Sequence, residues 1–174
     1  MTNYIKVAGI EVTPETWPKG AEKILPQDVS LSVRYYGVNM KAVWDELAKP
    51  DGVRSEALGK LALPNDTIFM DLADNYIRSA NYDVTLDGKL SMAPGTGTGR
   101  ERLQGNIVVK ARDYDKTVTF LQETAKSIPT MNRAAMVALM AKGLGKTDAN
   151  GATIWDIGFQ AGGKVTVNGQ PMPF

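Results

Sequence analysis

The pattern of apolar and polar positions divides this chain into short alternating runs and a few helical ones. Val29, Leu31, Val33 and Tyr35 alternate with Ser30, Ser32 and Arg34, which predicts a half-buried strand. Gly37 ends it, and Asn39 is placed to cap a helix whose apolar set is Met40, Val43, Trp44 and Leu47. Pro50-Asp51-Gly52 stops that helix, and Trp44 is expected in the core. Upstream, residues 4–12 alternate as a short strand, followed by a loop punctuated by Pro14, Pro18, Gly20 and Pro26. Residues 54–63 fit a helix or a strand equally, and Pro64-Asn65-Asp66 is a turn. Ile68, Met70 and Leu72 line one side of a strand, and Tyr82, Val84 and Leu86 one side of another. Asp87-Gly88 then reads as a hairpin turn into Lys89–Met92.

The pattern begins again at Ile107, Val109 and Ala111. Asp113 or Asp115 can cap a helix carrying Val118, Leu121, Ala125 and Ile128 on one face. Pro129 ends it, and Thr130 is a candidate cap for the next. That next helix holds eight apolar residues in a row, Ala134 to Ala141. At about 100° per residue, Met136, Val137, Leu139, Met140 and Leu144 gather on one side, and Ala134, Ala138 and Ala141 on the other. The bulky side is expected to pack on the sheet, which makes Met140→Asp an unfolding substitution. Gly143 and Gly145 close the helix, and residues 148–151 turn the chain. Residues 154–161 and 164–167 are strands joined at Gly162-Gly163, with a further turn at Asn168-Gly169.

Two copies of strand, helix, strand, strand emerge, 28–93 and 104–174, joined by the glycine-rich stretch 94–100. A shift of 78 residues lays Val29, Leu31 and Val33 on Ile107, Val109 and Ala111, and Met40, Val43 and Leu47 on Val118, Leu121 and Ala125. Two-residue turns join only antiparallel strands, so residues 1–174 are expected to form one α+β domain, an antiparallel sheet with helices on one face.

Composition narrows the chemistry. Twenty basic and 19 acidic residues give a net charge of +1, with no field to steer nucleic acid. With no Cys and no His, thiol nucleophiles, Ser-His-Asp triads and the usual zinc sites are excluded. No stretch reaches the roughly 20 apolar residues of a membrane span.

Gly95-x-Gly97-x-Gly99-Arg100 has the spacing of a phosphate loop but leads into a strand, whereas a phosphate loop opens a helix; a hairpin tip is the better reading. Asp71, Asp74, Asp83 and Asp87 are dense enough to consider as acid-base or cation-binding carboxylates, against the plainer reading of solvated strand faces. Asp148-Ala149-Asn150-Gly151 lacks the later ligands of a calcium loop. Tyr35, Tyr36, Tyr76, Tyr82 and Trp155 lie on or beside strands, where sheet packing is favoured over base stacking for want of a positive groove. No catalytic, cofactor-binding or metal-ligating residue is assigned, and no cofactor is implied.

Four stretches carry a family likeness: LSVRYYGVNMKAVWDELAK (31–49), YIRSANYDVTLDGKL (76–90), KARDYDKTVTFLQE (110–123) and IWDIGFQAGGKVTVNGQPM (154–172). They resemble an alphaproteobacterial family of predicted periplasmic proteins whose defining domain has no assigned function. The ending Gly-Lys-Val-Thr-Val-Asn-Gly-Gln-Pro is also similar to terminal strands of AsmA- and YdgA-type envelope proteins. The likeness implies a periplasmic location and carries over no catalytic residues. Members of that family begin with an apolar segment and a further region not seen here, so the chain is expected to be an excised C-terminal part. Together these features lead to the expectation of a non-enzymatic envelope protein binding an apolar ligand, a lipid or a protein partner. The alternatives are a carboxylate-dependent hydrolase or metal binder centred on Asp71, Asp74 and Asp83, and a structural assembly domain using a strand edge.

Overall fold

A computed structural model describes residues 3–8, 25–49, 67–93 and 102–172. The expected turn at 64–66, the ambiguous run 54–63 and the glycine-rich stretch 94–100 lie outside the described residues. The strands are β1 (Asn3–Ala8), β2 (Asp28–Tyr36), β3 (Ile68–Arg78), β4 (Asp83–Met92), β5 (Leu103–Arg112), β6 (Lys146–Thr147), β7 (Thr153–Gln160), β8 (Lys164–Val167) and β9 (Gln170–Pro171). Helix α1 (Met40–Leu47) follows β2, while α2 (Tyr114–Ser127) and α3 (Asn132–Leu144) form a hairpin between β5 and β6. All strands join one antiparallel sheet in the order β1-β2-β3-β4-β5-β7-β8-β9, with β6 paired to the start of β7. The expected α+β class with an antiparallel sheet is the observed one.

The period-two pattern explains the sheet's two faces. Register places Leu86 opposite Val109 and Val109 opposite Trp155, so apolar side chains form rows across β4, β5 and β7. The opposite face is polar, and its charges alternate strand by strand. Asp28, Arg78, Asp83 and Arg112 follow one another across β2 to β5. In that row Asp83 meets Arg78 at 3.2 Å and Arg112 at 3.6 Å.

Asp87-Gly88 is not a turn. It sits inside β4, opposite Val108 and Ile107, and the β3–β4 connection is at residues 79–82. The reason lies on β3, which carries one extra residue between Leu72 and Asn75 relative to β4. Asp74 there adopts φ 57°, and its amide donates to the Asp87 carboxylate at 3.2 Å. Gly88 tolerates the neighbouring strand because a Cβ there would come within 2.6 Å of the Asn106 carbonyl oxygen. Asn75, buried at the bulge, accepts from the Ser32 amide and donates to the Ser32 carbonyl.

Helix α1 is capped as expected, the Asn39 side chain accepting from the Ala42 amide at 3.1 Å. Its apolar face is not core, however: Trp44 is 64% exposed and no residue of α1 is buried. Helix α2 buries Val118 and Ala125 and stops before Pro129, which has no amide hydrogen to continue it. Thr130 does not cap α3; it falls within the 3-10 turn Pro129–Met131 that leads into it.

The orientation of α3 is the reverse of that expected. Ala135 and Ala138 are buried, while Met136, Val137, Leu139, Met140 and Leu144 are all more than 40% exposed. Small side chains let the helix backbone approach its neighbours closely, and here that geometry outweighs the burial of bulk. Ala138→Glu should therefore destabilise the fold by about 3–5 kcal/mol, an unpaired buried charge, whereas Met140→Asp should leave the melting temperature nearly unchanged. Thermal denaturation of the two variants side by side tests the orientation. Asn75→Ala, which leaves the Ser32 amide and carbonyl unpaired, should cost about 1–3 kcal/mol in chemical denaturation.

Candidate apolar binding cavity

Between the α2–α3 hairpin and the apolar sheet face lies a cavity of about 330 Å³, broadly open to solvent. Its floor is Val84, Val109, Ala111, Trp155, Ile157 and Val167, and its roof is Tyr114, Ala141 and Leu144. The chain builds it from a sharp corner. Strand β5 ends at Arg112, Asp113 takes φ 47°, and α2 begins at once with Tyr114 turned back over the sheet.

Two aromatic side chains fix the roof. The Tyr114 hydroxyl donates to the Ala138 carbonyl at 3.0 Å, and the Trp155 indole N–H donates to the Ala141 carbonyl at 2.7 Å. Their rings meet edge to face, centroids 4.7 Å apart at 75°. Burial raises the Tyr114 phenol above its ordinary pKa. Trp155 requires room beside α3, and Gly145 supplies it: a Cβ at that position would lie 3.2 Å from the indole and 2.3 Å from Thr153 Cγ2.

Asn168 fixes the far end of α3. In a left-handed turn conformation (φ 51°), it donates to the carbonyls of Leu144 at 2.8 Å and Ile154 at 3.1 Å, and accepts from the Asp156 amide. It thereby ties the last turn of α3 to β7. The cavity wall is thus apolar except for two donors already engaged with helix carbonyls. Such a wall selects for apolar surface and offers no directed group for a charged one.

The carboxylates considered from the sequence do not converge. Asp71 accepts from the Tyr36 hydroxyl at 3.1 Å, and burial followed by this bond raises the Tyr36 phenol. At Asp74 it is the backbone amide, not the carboxylate, that meets the Asp87 side chain across the bulge. Asp83 sits with Arg78 and Arg112, six residues along β4 from the position opposite Asp71, or ~20 Å away. Among the described residues no three acidic side chains gather as a cation site would need. The strand aromatics pack within the sheet: Tyr36 stacks on Phe69 at 5.2 Å, and the Arg78 guanidinium lies 4.1 Å from the centre of the Tyr76 ring. Trp155 was visible in the sequence as a strand aromatic. Tyr114, Gly145 and Asn168 carried no pattern that marked them, because their roles depend on the corner between β5 and α2 and on the close approach of β7.

The turn after β6 is held by Asp148. Its carboxylate accepts from the Asn150 and Ala152 amides, both at 2.9 Å, and from Lys110 at 2.6 Å.

No protein-family model, curated protein or solved structure matches the chain.

The Lys110 hydrogen bond, then the Ala152 amide, hold the Asp148 carboxyl below its ordinary value of 3.8. A carboxyl lowered on folding contributes stability above its unfolded pKa and loses it as pH falls through the folded one. Asp148→Asn should therefore melt earlier than the parent chain at neutral pH. The gap should close as the solution is acidified below about 3.8, which a series of melting curves against pH will read.

Proposed function

We propose that this protein is a non-catalytic binder of an apolar ligand, held in the cavity between the α2–α3 hairpin and the sheet. The observation that carries this reading is the wall itself: about 330 Å³ lined by aliphatic and aromatic side chains, with its two polar donors occupied by α3. That volume lies in the range of small-molecule sites, about 300–1,000 Å³. A hydrocarbon chain or a flat apolar ring system is the class of ligand such a wall favours, since it forfeits no hydrogen bonds on leaving water. The sequence likeness to envelope proteins supports placing this activity in the periplasm, where lipid chains are at hand. The scattering of Asp71, Asp74 and Asp83 argues against the hydrolase alternative.

Native mass spectrometry of the purified chain should find it carrying a hydrophobic small molecule or a lipid. A fluorescent fatty-acid probe should quench Trp155 on titration and be displaced by unlabelled fatty acid. Ala141→Leu, which projects into the cavity, should weaken the probe at least tenfold while the circular dichroism spectrum stays the same. If the parent chain neither carries nor binds such molecules, or if Ala141→Leu binds as well as the parent, the cavity is not a ligand site.

A further inference from the structure

The apolar sheet face does not end where the cavity does. Register sets the cavity floor in three rows, from Val84 beside Ala111, through Val109 beside Trp155, to Ile157 beside Val167. Two further rows follow on the same face: Leu90, Gly105, Phe159 and Val165, then Met92 and Leu103. All of these residues are partly or fully exposed, and none has a charged or hydrogen-bonding side chain. From Ala111 back to Leu103 the apolar path along β5 is ~27 Å long at the rise of a strand.

We propose that the ligand of the cavity is a single long hydrocarbon chain, its inner end under Tyr114 and its remainder laid along β5 over Gly105. This rests on the cavity being a ligand site, and adds the class of ligand. The path is low in its middle. Gly88 in the third row and Gly105 in the fourth carry no side chain, and neither tolerates one. A Cβ at Gly88 would lie 2.6 Å from the Asn106 carbonyl oxygen, and one at Gly105 would strike the Lys89 carbonyl. Gly105 also holds φ 119°, which side chains rarely allow. Leu90 and Phe159 stand on either side of Gly105, so the strip over β5 is a groove with apolar walls.

Width and length both fit a hydrocarbon chain. Strands β4 and β7 flank β5, so the backbones carrying Leu90 and Phe159 are ~10 Å apart, less the reach of the two side chains. A helix, ~10 Å across with its own side chains, does not enter such a groove. The amides of the floor already pair within the sheet, so an extended peptide there would bury its own without partners. The bilayer core is ~30 Å thick and holds two chains end to end, which makes a membrane acyl chain ~15 Å long. The three rows of the cavity span ~14 Å of β5, so such a chain, once straightened, runs out between Leu90 and Phe159.

Decanoate, laurate and palmitate, each competed against the fluorescent probe on the whole chain, test the length of the site. A methylene that finds apolar wall tightens binding about fourfold, so palmitate should outbind laurate by on the order of a hundredfold. Pyrene, a flat ring system, should bind more weakly than palmitate. The double change Leu90→Thr with Phe159→Thr keeps a good strand former at each position. It should erase the gain from laurate to palmitate, with decanoate binding and the far-ultraviolet spectrum as in the parent. Palmitoyl lysophosphatidylcholine separates the sources: tighter binding than palmitate names a phospholipid, weaker binding a free fatty acid, and either supports the path. Affinity that stops rising at decanoate overturns the proposal and leaves the cavity a site for small apolar molecules. A double variant that keeps the full gain, or pyrene binding above palmitate, overturns it too. If no member of the series binds, the cavity reading falls with it. A chain that sediments as a dimer and shows no gain with length places protein on this face instead.

Discussion

The hydrogen bonds that Trp155 and Tyr114 donate to carbonyls of α3 are the contacts on which the helical half of this molecule depends. An indole N–H and a phenol O–H buried without partners each cost a few kcal/mol. Pairing them with helix carbonyls removes that cost and fixes the height of α3 above the sheet. Nearly everything else in this half follows from that height. The inner residues of α3 must be small, Ala135 and Ala138, and Gly145 must lack a side chain where the indole passes. The two rings are longer than the alanines that face them, so the helix is propped away from the floor of Val109, Ile157 and Val167. The cavity is the space left by this mismatch of side-chain lengths.

The sheet was legible in the sequence because period-two alternation is a local signal that pairing only reinforces. Val29 to Tyr35 and Ile107 to Ala111 lie in β2 and β5, but in β2 the facing departs from the alternation, with Ser30 and Ser32 buried and Leu31 42% exposed. The Asn39 cap and the stop at Pro129 were legible for a similar reason, since one residue's own chemistry decides each. Asp87-Gly88 misled because its turn signal is real but was overridden by a partner strand. The extra residue on β3 needs an acceptor for the Asp74 amide, and the same dipeptide that makes a good hairpin also makes a good seat for a bulge.

The orientation of α3 was hidden for a different reason. A helix apolar all round gives no polar face to point outward, so bulk alone was left to choose the buried side. Bulk chose wrongly. Burying Met136 and Met140 would gain more apolar area per side chain. It would also push the backbone carbonyls of Ala138 and Ala141 away from the sheet and out of reach of Tyr114 and Trp155. Two buried donors would then lose their acceptors together. For a helix with apolar residues on both sides, the side that satisfies fixed polar partners is the side that goes in.

That trade has a consequence for how the molecule meets its surroundings. Apolar surface that could have closed the core is displayed instead in two places, the cavity wall beneath α3 and the methionine-rich arc above it. Leu144 belongs to both, lining the cavity while 42% exposed. Asn168 holds the carbonyl of this same residue. The last turn of α3 is therefore part of both surfaces at once. The Gly143 and Gly145 pair flanking Leu144 leaves that turn with little side-chain packing of its own, so the Asn168 and Trp155 bonds are what hold it. The two surfaces share one structural element, the last turn of α3, so an occupant of either would act on the other through it.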